Sequence, residues 1–449
     1  MSSQDVLYLC VLIGSIFFGQ VIKSCGSNHK LKQALVLCSG FAMVVVLTGP
    51  GDFIHSLVVV VINYLIIKLF KPKMCHVVSF IWTFGYLLFF RTCHWFGWSA
   101  PTGQSNAVQL LVTLRMVGLA YEIHDQDKGK EEIFRHNNIF KCDLLDFFSY
   151  SYCYIGLMTG PFYSYRTFLD MVHYDARHID TLNPALSKLK QLPPIILPFL
   201  LFSNYFPLPY LESDEYFNSN ILYQLLILVP TFSWFRWRFY IGWVLAESMC
   251  ITSCLGAYPV ECKSKPAVGP TTKPELERTK ETAYDFETTH NINITNVELA
   301  PTMRSAMKDW NMTVQWWMAT YVYKKLPVES AQIRMFLLLF VSAFWHGVRP
   351  GYYLTFMSVP LVVMAETRMT KAIKPYLNDS SSYWWDWITW FCLYRSFEYT
   401  GIGFMLLELR TVWSLWTRMY FIGHFFIFLF ILLPFIIPKK RTKVESKTD

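Results

Sequence analysis

FIHSLVVVVINYLIIKL, residues Phe53–Leu69, and FIGHFFIFLFILLPFIIP, residues Phe421–Pro438, decide the fold class. Each is about as long as the ~20 residues a helix needs to cross the hydrocarbon core of a bilayer. The same character extends outward from both. Of 449 residues, 53% are hydrophobic and 18% aromatic, with a mean hydropathy of +0.29. Charged residues make up 16% and sit between the apolar blocks. A soluble domain of this length has no need of such unbroken apolar runs. The sequence therefore predicts an all-α polytopic integral membrane protein.

The net charge of +8 does not indicate nucleic-acid binding, because Lys and Arg occupy short loops and a tail, the positive-inside pattern of membrane proteins. Lys23, Lys30 and Lys32 follow the first span, Lys68, Lys71 and Lys73 the third, and Lys128, Lys130, Arg135 and Lys141 the fifth. The intervening loops Gly49–Asp52 and Ser99–Asn106 carry neither residue type. This alternation places the N-terminus in the lumen and the basic loops in the cytosol. MSSQDVLYLC lacks a basic start and a cleavage site, so the first span is expected to stay as an anchor. The 11 cysteines include no CxxC pair, which leaves no sign of zinc or a disulfide framework.

Phe147–Tyr165 interrupts the alternation, having basic residues on both flanks and Gly160-Pro161 inside it. It is expected to dip into the membrane and return, which only protein or a water-filled cavity can accommodate. Leu192–Phe206 and Ile221–Tyr258 cross next. Residues 259–310 form a polar cytosolic stretch, and Ala331–Gly347, Tyr353–Glu366, Trp387–Leu409 and Trp416–Ile437 cross after it. The expected total is about eleven spans plus one re-entrant and one interfacial helix. Residues 1–438 are expected to form one membrane domain and 439–449 a basic cytosolic tail.

Two passages stand out for chemistry. His346 ends the apolar run Phe336–Trp345 and is followed by Gly347 and Pro350-Gly351-Tyr352-Tyr353. On position alone, a helix-end histidine bonded to a carbonyl accounts for it. Trp310-Asn311-Met312-Thr313-Val314-Gln315-Trp316-Trp317 is an amphipathic helix edged with tryptophans, suited to the bilayer interface. Asn311-Met312-Thr313, Asn293-Ile294-Thr295 and Asn378-Asp379-Ser380 are glycosylation sequons, but this topology puts all three in the cytosol. Arg395 and Glu398, one helical turn apart, are placed to neutralise each other. Arg236 and Arg238 have no such neighbour and are candidates for phosphate or inositol contact.

Together the two passages resemble the signature of the membrane-bound O-acyltransferase family, an asparagine near an interfacial helix followed tens of residues later by a histidine ending an apolar run. The likeness extends through Ser149–Tyr154, Gly160-Pro161-Phe162, Tyr165-Arg166-Thr167, Gly256-Ala257-Tyr258-Pro259 and Trp345-His346-Gly347, and is nearest to the lysophosphatidylinositol acyltransferase branch. It implies a family fold built around a central tunnel in the endoplasmic reticulum membrane. It also implies transfer of a polyunsaturated, arachidonoyl-type acyl group from acyl-CoA to the sn-2 hydroxyl of lysophosphatidylinositol. Acyl-CoA is then a co-substrate, with no cofactor and no metal. His346 would be the base that takes the hydroxyl proton, and Asn311 would donate a hydrogen bond to developing oxyanion charge or hold a substrate oxygen in line. Gln315, Trp317 and Tyr352 join the two arginines as candidate substrate contacts. A membrane transporter is the alternative from another class, and acylation of a protein the alternative within the family. A di-iron desaturase would need several histidine boxes, and His173 and His178 make only one pair.

Overall fold

The computed structural model describes residues 3–127, 142–272 and 282–438. The basic residues Lys128, Lys130, Arg135 and Lys141 and the tail 439–449 lie outside them. The described chain is mostly helical, with irregular loops and two two-residue strands, Tyr258–Pro259 and Tyr284–Asp285, paired antiparallel. Among the described residues, four helical stretches are long and apolar enough to cross a membrane: Asp5–Ser24, His29–Leu69, Pro72–Phe96 and Leu182–Glu212. Leu409–Arg418 with Ile422–Phe435, bent by 72°, makes five if counted as one span.

The number is smaller than eleven for a physical reason seen in Gly103–Asp127. This helix is buried along most of its length and carries Gln109, Thr113, Arg115 and Glu122 among its buried residues. A helix wrapped by protein meets little lipid and need not be uniformly apolar. Expected spans two and three run as one helix, His29–Leu69, interrupted at Gly49, where φ is 79° and Pro50 follows.

Contacts divide the chain into two compact units. The first comprises Met1–Ile196, Phe239–Ile292 and Asn311–Pro327; the second comprises Leu197–Arg238, Asn293–Trp310 and Val328–Asp449.

In the first unit, the segment expected to be re-entrant forms the helix Leu144–Ser151, an irregular stretch over 152–164, and the helix Tyr165–His173. Irregular backbone deep in a protein needs partners for its carbonyls. Arg115 supplies them. Its guanidinium, 1% exposed, donates to the carbonyls of Tyr150 at 3.1 Å, Ser151 at 3.2 Å, Cys153 at 2.9 Å and Ile155 at 2.5 Å, and to the Tyr163 hydroxyl at 2.8 Å. It also lies over the Tyr163 ring, 4.8 Å from its centroid.

In the second unit, the helices Met303–Lys308, Pro350–Ile373, Asp379–Leu406 and Ile422–Leu432 share an apolar cluster that includes Met303, Val362, Leu393 and Ile427. Part of the polar stretch is thus packed structure and not open loop: Ala300, Met303 and Ala306 are at most 2% exposed. Pro350 sits in the first turn of its helix, where its missing N–H leaves nothing unsatisfied.

Candidate active site

His346 is the last residue of the helix Ala331–His346, in the second unit. Four rings surround its half-buried imidazole. Phe356 stacks at 5.2 Å between centroids, Tyr352 lies nearly parallel at 6.0 Å, and Trp345 and Phe404 present edges at 4.7 and 5.1 Å. The chain makes room for this enclosure with small residues. The Gly347 backbone is extended, at φ 175°, so any residue could adopt it. A Cβ there would nevertheless come within 2.2 Å of Cε2 of Tyr352. Gly351 and Gly403 let two helices touch backbone to backbone, since a Cβ on Gly351 would meet the Gly403 carbonyl at 2.1 Å. The Gly351 N–H also donates to the Leu407 carbonyl at 2.8 Å. That crossing sets Tyr352 against Phe404, with centroids 4.9 Å apart.

Asn311 lies in the first unit and immediately precedes the six-residue helix Met312–Trp317, which continues as a π-helical turn over Met318–Val322. Its backbone is left-handed, at φ 49° and ψ 49°, a region asparagine tolerates better than most residues. Its carbonyl accepts the Gln315 N–H at 3.0 Å, but its side chain does not cap the helix. Asn291 caps it instead. The Asn291 carbonyl accepts the Met312 N–H at 2.9 Å, and its Oδ1 accepts the Thr313 N–H at 3.1 Å and the Thr313 hydroxyl at 2.6 Å.

The other candidates divide clearly. Tyr352 belongs to the histidine enclosure. Gln315 is half-buried, one turn from Asn311. Trp317 is fully buried and donates its indole N–H to the Leu114 carbonyl at 3.0 Å, so it is built into the packing. The tryptophan edging of the helix is correspondingly uneven, because Trp317 and Val314 face inward while Trp316 stays half-buried. Arg236 requires a correction. It forms a two-pronged pair with Glu298, both bonds 2.9 Å, and its guanidinium lies over the rings of Phe232 and Tyr394. The pair with Glu298 uses Nε and Nη2 of the guanidinium, so the neighbour that the local sequence lacks comes from a distant segment. Arg238 is exposed and lies over the Phe235 ring at 4.5 Å. Arg395 and Glu398 join through two bonds, as their one-turn spacing predicts.

Sequence reading missed Asn291 and the groups behind it. Glu247 lies in the apolar helix Ile221–Thr252 and is 1% exposed. Its Oε1 accepts the N–H groups of Asn291 and Ile292 at 2.9 and 3.0 Å, and its Oε2 meets Lys188 Nζ at 2.6 Å. Next to it, His290 Nδ1 bonds Glu287 at 2.9 Å and Nε2 bonds the Ile292 carbonyl at 3.0 Å. Both imidazole nitrogens therefore face acceptors. Burial opposes the charge on His290, but Glu287 and Glu247 outweigh it and raise its pKa above 6.5. The same bond, as its largest cause, lowers that of Glu287 below 4.5.

A helical membrane protein with a histidine enclosed by aromatic rings and a carboxamide that does not cap its own helix has side chains suited to acyl transfer. The membrane-bound O-acyltransferase family model matches residues 58–406, which include both groups. The chain is 39% identical to a membrane-bound acylglycerophosphatidylinositol O-acyltransferase of Xenopus laevis, over 100% of this chain and 97% of the relative. It is 37% identical to the Homo sapiens protein of that name, over 95% and 92%, and 31% identical to the Drosophila melanogaster one, over 99% and 95%. The chain belongs to the membrane-bound O-acyltransferase family, and it is an O-acyltransferase.

Proposed function

We propose that this enzyme transfers a polyunsaturated, arachidonoyl-type acyl group from acyl-CoA to the sn-2 hydroxyl of lysophosphatidylinositol. The observation that carries the reading is the aromatic enclosure of His346, in a chain whose full-length relatives bear the acylglycerophosphatidylinositol name. His346 acts as the base. As the hydroxyl oxygen attacks the thioester carbonyl carbon, its proton passes to the imidazole. The carbon–sulfur bond then breaks, and the thiolate of CoA takes that proton from the imidazolium and leaves as the free thiol. Asn311, whose amide is not used as a cap, donates to the thioester oxygen while it carries negative charge. No acyl-enzyme is formed. Tyr352, whose ring neighbours His346, and Gln315, one helical turn after Asn311, are the further substrate contacts in this reading. The reading includes a chain of about eleven crossings in the endoplasmic reticulum membrane, with a lumenal N-terminus and acyl-CoA arriving from the cytosol.

The test is a panel of lysophospholipid acceptors offered with arachidonoyl-CoA to the purified enzyme in detergent micelles, with release of free thiol as the signal. Release that depends on lysophosphatidylinositol and exceeds that with other head groups supports the reading. Equal rates with every head group overturn the acceptor assignment, and no thiol release with any lipid overturns lipid acylation altogether.

A further inference from the structure

Asn311 can serve the reaction only if its amide is held at one place, and a left-handed residue before a six-residue helix is not fixed by helix propensity. The first two N–H groups of that helix are fixed from outside, by one residue. Asn291 takes Met312 N–H with its carbonyl and Thr313 N–H with Oδ1, while Thr313 Oγ1 donates to the same Oδ1 at 2.6 Å. The Thr313 hydroxyl is itself engaged from the far side, because Phe162 N–H donates to it at 3.0 Å. Phe162 belongs to the irregular stretch that Arg115 ties together. Asn291 is anchored in turn by Glu247, which holds its N–H and is paired with Lys188. Asn291 and Thr313 are both 0% exposed, and Glu247 is 1% exposed, so no water competes for these bonds. Among the described residues the Asn291 Nδ2 finds no acceptor, so this carboxamide is held through Oδ1 alone.

We propose that Asn291 and Thr313 are positioning residues for Asn311: anchored by Glu247, they take over the capping of the Asn311 helix and so leave the Asn311 carboxamide in place and available for the acyl oxygen. This rests on the reading above that Asn311 is the oxyanion donor. Two consequences separate it from a merely structural role. Loss of the Thr313 hydroxyl should act on turnover and not on substrate affinity, and it should act only through Asn311.

The full-length enzyme in detergent tests both. Thr313→Val removes the hydroxyl at nearly constant shape and should lower kcat about 10- to 100-fold, the usual cost of displacing a catalytic group by about 1 Å. KM for acyl-CoA and for lysolipid should stay within about twofold. Thr313→Ser restores the hydroxyl and should restore kcat. In an Asn311→Ala background, Thr313→Val should lower kcat no further. Should Thr313→Val fail to accumulate, Thr313→Ala removes the same hydroxyl with less bulk and carries the same comparison. If Thr313→Val leaves kcat unchanged, shifts KM alone, or adds its full effect to that of Asn311→Ala, the positioning role is overturned. If Asn311→Ala itself keeps full kcat, the donor assignment fails instead, and the two failures are read from different variants.

Discussion

Gly347→Ala isolates the geometry of the histidine enclosure better than any change to the histidine. The glycine backbone is extended, so alanine meets no conformational penalty there. Its added methyl would lie 2.2 Å from Cε2 and 2.7 Å from Cδ2 of Tyr352. Carbon atoms rest at about 3.5 Å or more, so ring and methyl must separate by roughly 1.3 Å. The ring edge blocks one direction and Phe404, packed against Tyr352, resists the other. The adjustment therefore passes to His346, which lies nearly parallel to the Tyr352 ring and is covalently next to the new methyl. Overpacking of this kind costs about 1–3 kcal/mol in stability, and a displaced base costs on the order of 100-fold in turnover. Thiol release by purified Gly347→Ala should fall accordingly, with the protein still monodisperse. Tyr352→Ala relieves the clash, so adding Gly347→Ala to it should cost little more. Wild-type turnover in Gly347→Ala, or fully additive effects in the double variant, would refute the argument that the glycine makes room for Tyr352.

His346→Gln should abolish thiol release while leaving the thermal midpoint nearly unchanged; measurable turnover would remove it as the base. Asn311→Gly relaxes the left-handed backbone but deletes the amide, so turnover should fall about 10²–10³-fold without loss of stability, read from steady-state rates and a melting curve. Arg236→Ala leaves the partly buried Glu298 unpaired and should cost about 2 kcal/mol in a melt, with head-group preference unchanged. The Glu287–His290 pair gives a pH window. The raised pKa of His290 contributes stability present in full below 6.5 and lost as pH rises through its folded value, while the lowered pKa of Glu287 contributes stability present above 4.5 and lost as pH falls through its folded value. The thermal midpoint should therefore be highest between those two pH values, and in His290→Gln its alkaline decline should be weaker.

Which features the sequence revealed follows from the range of the interactions involved. Ala331–His346 ends where its apolar run ends, because the chain turns extended at Gly347 and Pro350 starts the next helix, both local effects. Arg395 and Glu398 were legible as a pair for the same reason. Arg236 was not, since Glu298 lies 62 residues away and reaches it only after the polar stretch has folded. Asn291 carries no local mark at all, because nothing in Asn291-Ile292-Asn293 tells a cap for the distant helix Met312–Trp317 from an ordinary loop. Helices such as Gly103–Asp127 read weakly as spans because their polar side chains bond to protein. Hydropathy measures contact with lipid, and these faces have little.

Arg115 has a further consequence for how the chain is made. Synthesis proceeds from the N-terminus, so this arginine enters its apolar surroundings before its acceptors exist, and they arrive 35 to 48 residues later. An unaccompanied guanidinium at depth is costly enough to keep its helix from settling alone. The helix and the irregular stretch that follows it must therefore be seated together, as one delayed act of insertion.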